Sequence, residues 1–155
     1  MEKIESVIHW DKYFINLCYE IAKKSKDPST KVGSLIITQD NEIIATGFNG
    51  FPRKVGDYKE RYENREIKYL FIEHGERNAI YSAAKKGIST NNCKMYVPGM
   101  PCNDCCRAII QCGITEVIMD AEYDAKHPGY KDRWAKSSEI SSIMFQESGI
   151  ILRSI

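Results

Sequence analysis

The sequence predicts an α/β fold with a mixed five-stranded sheet covered by helices on both faces. Short β-branched runs alternate with longer segments of helical apolar spacing. Gly, Pro, Asn and Asp separate them at the points where elements must stop. The resulting order is α-β-β-α-β-α-β-α-β, and such alternation gives a sheet between helical layers. The 155 residues suit one domain over 1–155 with one sizeable core.

The elements follow in chain order. Ile4 to Lys24 carries apolar residues at Ile4, Ile8, Phe14, Leu17, Cys18 and Ile21, a mostly helical spacing. Asp27-Pro28-Ser29 ends it. Val32 to Thr38 reads as a buried strand and Glu42 to Thr46 as its hairpin partner across Gln39-Asp40-Asn41. Gly47-Phe48-Asn49-Gly50-Phe51-Pro52 breaks the strand pattern and opens a charged excursion. Ile72 to Ala84 is a helix with Ala79, Ile80 and Ala83 on one side, stopped by Gly87. Lys94 to Val97 is a short strand, Cys102 to Gln111 a helix closed by Gly113, and Thr115 to Met119 a strand. Tyr130 to Glu147 is a long helix stopped at Gly149, and Ile150 to Arg153 the last strand.

Composition excludes several function classes. With 43% hydrophobic and 28% charged residues the chain reads as a soluble globular protein. No apolar run could span a membrane. The opening Met1-Glu2-Lys3-Ile4-Glu5 lacks the apolar core of a signal peptide, which places the protein in the cytoplasm. There its six cysteines serve as thiols or metal ligands rather than disulfides. A net charge of +1 gives no global pull toward nucleic acid. Residues 53–68 form a local exception, with Arg53, Lys54, Lys59, Arg61, Arg65 and Lys68 among Asp57, Glu60, Glu63 and Glu66. This segment has two readings: a solvated mixed-charge excursion, or a mobile supply of cations for a phosphate.

The chemistry concentrates in His74-Gly75-Glu76 and Pro101-Cys102-Asn103-Asp104-Cys105. A C-x-x-C at a helix start puts two sulfurs one turn apart on one face, where the helix dipole favours thiolates. Pro101 suits the helix start and Asp104 complements the dipole. His74 completes three ligands, and three protein ligands leave the open position that marks a catalytic zinc. The pattern H-x-E…P-C-x-x-C is the signature of zinc-dependent nucleobase deaminases. Glu76 is then the group that moves protons. Residues two apart inside a helix point to opposite sides. His74 is therefore expected at the very start of its helix, where both side chains can converge. Cys106 lies one turn from Cys102 and could close the site as a fourth ligand, but adjacent Cys105 and Cys106 diverge by ~100° on a helix. Cys18, Cys93 and Cys112 fall in apolar patterns and read as buried small residues. His9 and His127 have no partner at ligand spacing.

Several motifs together resemble the deoxycytidylate (dCMP) deaminases: Ser25-Lys26-Asp27-Pro28, Val32-Gly33, Gly47-Phe48-Asn49-Gly50, His74 to Ile80, Met95-Tyr96-Val97 and Pro101 to Cys105. The likeness spans about residues 10 to 120. It implies the cytidine-deaminase-like fold, a three-layer α-β-α sandwich around a mixed five-stranded sheet. It implies one catalytic Zn²⁺ on His74, Cys102 and Cys105, with Glu76 as proton shuttle. Asn49 matches an asparagine near the substrate sugar, though it also suits a turn in Phe-Asn-Gly. Gly75 would offer its N–H to the base carbonyl. Tyr123 falls where relatives carry an aromatic near the base, and equally reads as an ordinary half-buried tyrosine. Lys31 and Arg53 are the weaker matches, as phosphate contacts. The likeness extends to dCTP and dTTP as effectors, to Mg²⁺ with an allosteric nucleotide, and to homo-oligomers, dimer or hexamer.

The chain departs from the family pattern at Gly75, where alanine is common, and at Val97-Pro98-Gly99-Met100, which the likeness assigns to the base pocket. The stretch Trp134 to Glu147 also departs, at contacts between subunits. No second zinc set is evident. The implied reaction is hydrolysis of dCMP to dUMP and ammonia, feeding thymidylate synthesis. CMP, dCTP or a modified dCMP are alternative substrates. A free-nucleoside deaminase would usually carry cysteine where His74 stands. A tRNA or single-stranded DNA deaminase needs a backbone-tracking basic surface that +1 does not suggest. A purely structural zinc module has no use for Glu76.

Overall fold

The computed structural model describes residues 1–5 and 7–155. Five strands form one mixed sheet in the order β2-β1-β3-β4-β5. β1 (Gly33–Ile37) lies antiparallel to β2 (Ile43–Phe48) and to β3 (Lys94–Tyr96). β4 (Glu116–Met119) and β5 (Ile151–Ser154) continue in parallel from β3. All of β1 is buried, while β2, at the sheet edge, is mostly exposed or half-buried.

The period of two along the strands sorts the core into two layers. Leu35, Ile37, Tyr96 and Ile118 face α1 (Trp10–Ala22), packing on Phe14, Ile15 and Cys18. Ile36, Ala45, Met95 and Val117 face the other way. There they meet Ala79 and Ala83 of α4 (Gly75–Lys86), Ile109 of α5 (Asn103–Gln111) and Phe145 of α7 (Tyr130–Ser148). This is the expected three-layer sandwich. Gly87 and Gly149 adopt φ of 69° and 73° at the ends of α4 and α7, the left-handed stop that glycine accepts without strain.

Three expectations are corrected. The first helix starts at Trp10, not Ile4, capped by the His9 ring, which accepts from the Asp11 N–H. Ile4 and Val7 lie exposed, so the apolar spacing before His9 has no surface to pack on. The helix also ends at Ala22, before Asp27-Pro28-Ser29. The charged excursion contains two short helices, α2 (Lys59–Glu63) and α3 (Arg65–Phe71). Phe51 stacks on Tyr62 at 4.2 Å, and the Arg61 guanidinium lies 4.4 Å from the centre of the Phe71 ring. A third short helix, α6 (Tyr123–Lys126), also stood outside the expected order. Helices of four to seven residues are too short for a periodic signal and stand on tertiary contacts.

Gly47 is the third correction, because it continues β2 instead of breaking it. A Cβ there would lie 2.1 Å from the Gly75 carbonyl oxygen and 2.3 Å from the Ala79 nitrogen. The bare backbone lets the start of α4 seat directly on the strand. Gly47→Ala is expected to cost about 3 kcal/mol in urea denaturation, since backbone rather than a flexible side chain must yield. A loss below about 1 kcal/mol would show that α4 can shift without penalty. Among the described residues, no helix is long and apolar enough to cross a membrane.

Candidate active site

Two helix starts converge on one point. His74 is the N-cap of α4, with extended φ −79° and ψ 156°. Cys102 is the N-cap of α5, with φ −66° and ψ 166°. Neither side chain caps its own helix, so both are free to turn toward each other. The His74 Nδ1 lies 3.4 Å from the Cys102 Sγ and 3.5 Å from the Cys105 Sγ. Because His74 stands outside the helical turn, its two-residue offset from Glu76 does not send the pair apart.

The three ligand atoms lie within 4.8 Å of one another. Two sulfurs and one imidazole nitrogen are a donor set that suits zinc, and the count leaves a fourth position. Cys106 does not fill it: its thiol bonds the Ser141 carbonyl at 3.6 Å, inside the core. The site is therefore open on the protein side. The Cys102 thiol is held down to about 4, first by a hydrogen bond from Cys105. The same bond, with burial, pushes the Cys105 thiol far up. The two thiols are thus coupled, and a metal bound between them would take both as thiolates.

Arg77 is a neighbour that the motif alone did not single out. Its Nε donates to Glu73 at 2.7 Å and its Nη1 to the Cys105 sulfur at 3.7 Å. A cation there favours the thiolate. Glu76 is buried, 5% exposed, and burial pushes its carboxyl above the ordinary range. A buried carboxyl whose proton is held more tightly than usual is the kind of group that can take up and return a proton.

His74, Cys102 and the Glu76 carboxylate open into a cavity of about 210 Å³, with Cys105 behind them. Asn49, His74, Gly75, Glu76, Cys102 and Tyr123 all line it. Asn49 spends its amide on the chain: Oδ1 accepts from Val32 N at 2.8 Å and Nδ2 donates to the Thr30 carbonyl at 2.8 Å. It thus holds the turn before β1 and presents that turn to the cavity. At Gly75 a Cβ would lie 3.1 Å from the Val32 carbonyl oxygen, a close approach that the common alanine would tighten.

The predicted phosphate contacts need correction. Lys31 is exposed and does not line the cavity. Arg53 turns to a separate depression beside Ser82, Lys85 and Lys86. The cations on the cavity wall are Arg65 and Lys68 of α3 and Arg133 of α7. Lys68 is buried and paired with Asp27 at 3.1 Å, while Arg65 and Arg133 are exposed. The excursion brings cations to the cavity as an ordered wall, and Arg53 is not among them.

Met100 also departs from its expected place. Its side chain packs on the larger core, and its carbonyl accepts from the Tyr130 hydroxyl at 3.0 Å. The aromatic wall is instead Tyr123, Tyr130 and Trp134. Tyr123 meets Tyr130 edge-on at 4.9 Å, and Trp134 meets the His74 ring edge-on at 5.9 Å. Tyr130 and Trp134 are four apart on one helix, a spacing that could have marked them.

Comparison with known proteins agrees with this geometry. The family described as the cytidine and deoxycytidylate deaminase zinc-binding region matches residues 8–121. A probable deoxycytidylate deaminase of Drosophila melanogaster is 35% identical over 139 residues, covering 83% of this chain and 68% of that one. The human deoxycytidylate deaminase is 32% identical over 159 residues, covering 98% and 83%. Among solved structures, a dCMP deaminase from the cyanophage S-TIM5 in apo form superposes with a TM-score of 0.70 at 19% identity, over 94% of this chain and 96% of that one. At that identity the superposition speaks for the fold alone. The extent of the family match, the curated relatives and the His-Cys-Cys site agree: this chain belongs to the cytidine and deoxycytidylate deaminase family.

Proposed function

We propose that the protein hydrolyses dCMP to dUMP, exchanging the amine on the base for an oxygen from water and releasing ammonia. The observation that carries this reading is a shared cavity: the buried Glu76, His74 and Cys102 open into the space walled by Arg65, Lys68 and Arg133. A base-sized reactive end and a phosphate-sized cationic wall suit a nucleotide better than a free base. The named activity of the human and Drosophila relatives points the same way.

His74, Cys102 and Cys105 would hold the metal. Bound there, zinc supplies an acidified water at its open position. Glu76 takes a proton from the attacking water and passes it to the ring nitrogen beside the reacting carbon. It then takes the second proton from the oxygen now attached to that carbon and gives it to the amine, so that the oxygen becomes the carbonyl as the C–N bond breaks and ammonia leaves. One carboxyl group thus acts as base and then as acid. The Gly75 N–H belongs to the first turn of α4, where donors lack intrahelical acceptors, and we assign it to the base carbonyl. Tyr123, Tyr130 and Trp134 flank the base and exclude bulk water.

The cationic wall gives a direct test. Arg65→Ala and Arg133→Ala are exposed-site changes that should spare the fold. Together they are expected to lower kcat/KM for dCMP by about 100-fold, in line with two charge-assisted bonds, and to leave deoxycytidine turnover within about twofold. An equal loss on both substrates would remove these arginines from phosphate recognition.

A further inference from the structure

Asp120 stands just past the end of β4, is 6% exposed and takes no part in the proposed chemistry. Three donors converge on its carboxylate. The Tyr19 hydroxyl reaches it at 2.5 Å from α1, on the far side of the sheet from α4 and α5. The Lys126 ammonium reaches it at 2.7 Å from α6. The backbone N–H of Glu122 donates to it at 2.9 Å. Burial opposes its charge, but the bonds from Lys126 and Tyr19 outweigh burial and hold its carboxyl below the ordinary range.

The backbone of the same residue ties two cavity segments together. Asp120 N–H donates to the Pro98 carbonyl at 3.0 Å, and Tyr123 N–H donates to the Asp120 carbonyl at 3.1 Å. Pro98 leads into Gly99, which lines the cavity. A Cβ on Gly99 would lie 2.5 Å from the Tyr123 Cε1, so that ring rests directly on the Gly99 backbone. Tyr123 is 3% exposed and its hydroxyl has no hydrogen-bond partner in the described structure. Nothing polar on the ring fixes its direction. The ring is aimed by the turn it stands on and by packing on Gly99, His127 and Tyr130.

We infer that Asp120 is a positioning residue: its carboxylate, gripped by Tyr19, Lys126 and the Glu122 N–H, sets the turn that presents Tyr123 to the substrate. Two side-chain donors and one backbone donor make the turn part of the rigid body formed by α1, β4 and α6. Without the carboxylate the turn keeps its backbone bonds to Pro98, to Ile155 and within itself, but loses its ties to the Tyr19 and Lys126 side chains and to the Glu122 N–H. The ring can then rotate or withdraw over Gly99, and the base loses one wall. This rests on the nucleotide reading above only where substrate is used.

The test has a kinetic arm and a substrate-free arm. Asp120→Ala is expected to raise KM for dCMP about five- to tenfold while kcat changes less than about twofold, the pattern of lost uniform binding. In a Tyr123→Ala background the same change should move KM by less than about twofold, because the two residues act through one ring. Asp120→Asn keeps an oxygen for the Glu122 N–H but turns an NH2 toward Lys126 and Tyr19, so it should recover only part of the loss. Should Asp120→Ala fold poorly, Tyr19→Phe removes one grip alone and is expected to raise KM about twofold, again only when Tyr123 is present. Without substrate, ring-labelled tyrosine NMR should show the Tyr123 signals shifted or broadened in Asp120→Ala and less so in Asp120→Asn. Full additivity with Tyr123→Ala, or unchanged Tyr123 signals, would overturn the inference. Absence of dCMP turnover in the wild type would sink the nucleotide reading, and the NMR arm would still judge Asp120.

Discussion

Glu76→Gln is expected to keep its zinc and lose about 10³-fold or more in kcat, because one group carries both proton transfers. Glutamine matches glutamate in size, so the buried position should survive the change. The amide can hydrogen-bond but cannot accept and return a proton. The metal should stay, since His74, Cys102 and Cys105 form the ligand triangle without Glu76. Two measurements separate the roles: metal content by elemental analysis and ammonia release from dCMP. Loss of zinc in this variant would make Glu76 a ligand. Retained turnover would remove it from the chemistry.

Cys102→Ala carries the second large effect. It should abolish zinc retention and lower thermal stability, because the ligands stand at the first turns of α4 and α5 and clamp those helices together. The stability term is expected to reach several kcal/mol, with chelation of the wild-type protein reproducing most of it. Cys106→Ala is the control that distinguishes an open from a closed site. Its sulfur faces the Ser141 carbonyl, so zinc should remain stoichiometric and only a core-packing loss of about 1 to 2 kcal/mol should follow. Zinc loss on Cys106→Ala would mean a fourth protein ligand, and the catalytic reading would fail with it.

How much of this was legible in the sequence depends on the range of the forces involved. The sheet, α1, α4, α5 and α7 were legible because each buries a regular stripe against one neighbour. The reactive centre was legible because its chemistry admits few residue types at fixed spacing: Pro101 marks one helix start, and the two-residue step from His74 to Glu76 demands another. The cavity wall was not. Arg65, Lys68 and Arg133 reach it from two elements distant in sequence, and no local pattern distinguishes them from Arg53. Gly47 was misread for a related reason. As a local signal glycine breaks a strand, whereas here it admits a helix onto one. Asn49 shows a third case, where one amide serves the turn and the cavity together.

The cavity is proposed to deaminate a pyrimidine deoxynucleotide monophosphate. The most direct measurement is ammonia release by the purified zinc-loaded protein offered dCMP, CMP, dCTP, cytidine and a single-stranded oligonucleotide in parallel. dCMP is expected to be turned over with a kcat/KM at least about 100-fold above that of cytidine, with no detectable reaction on the oligonucleotide. Turnover of cytidine or the oligonucleotide equal to that of dCMP would contradict this assignment.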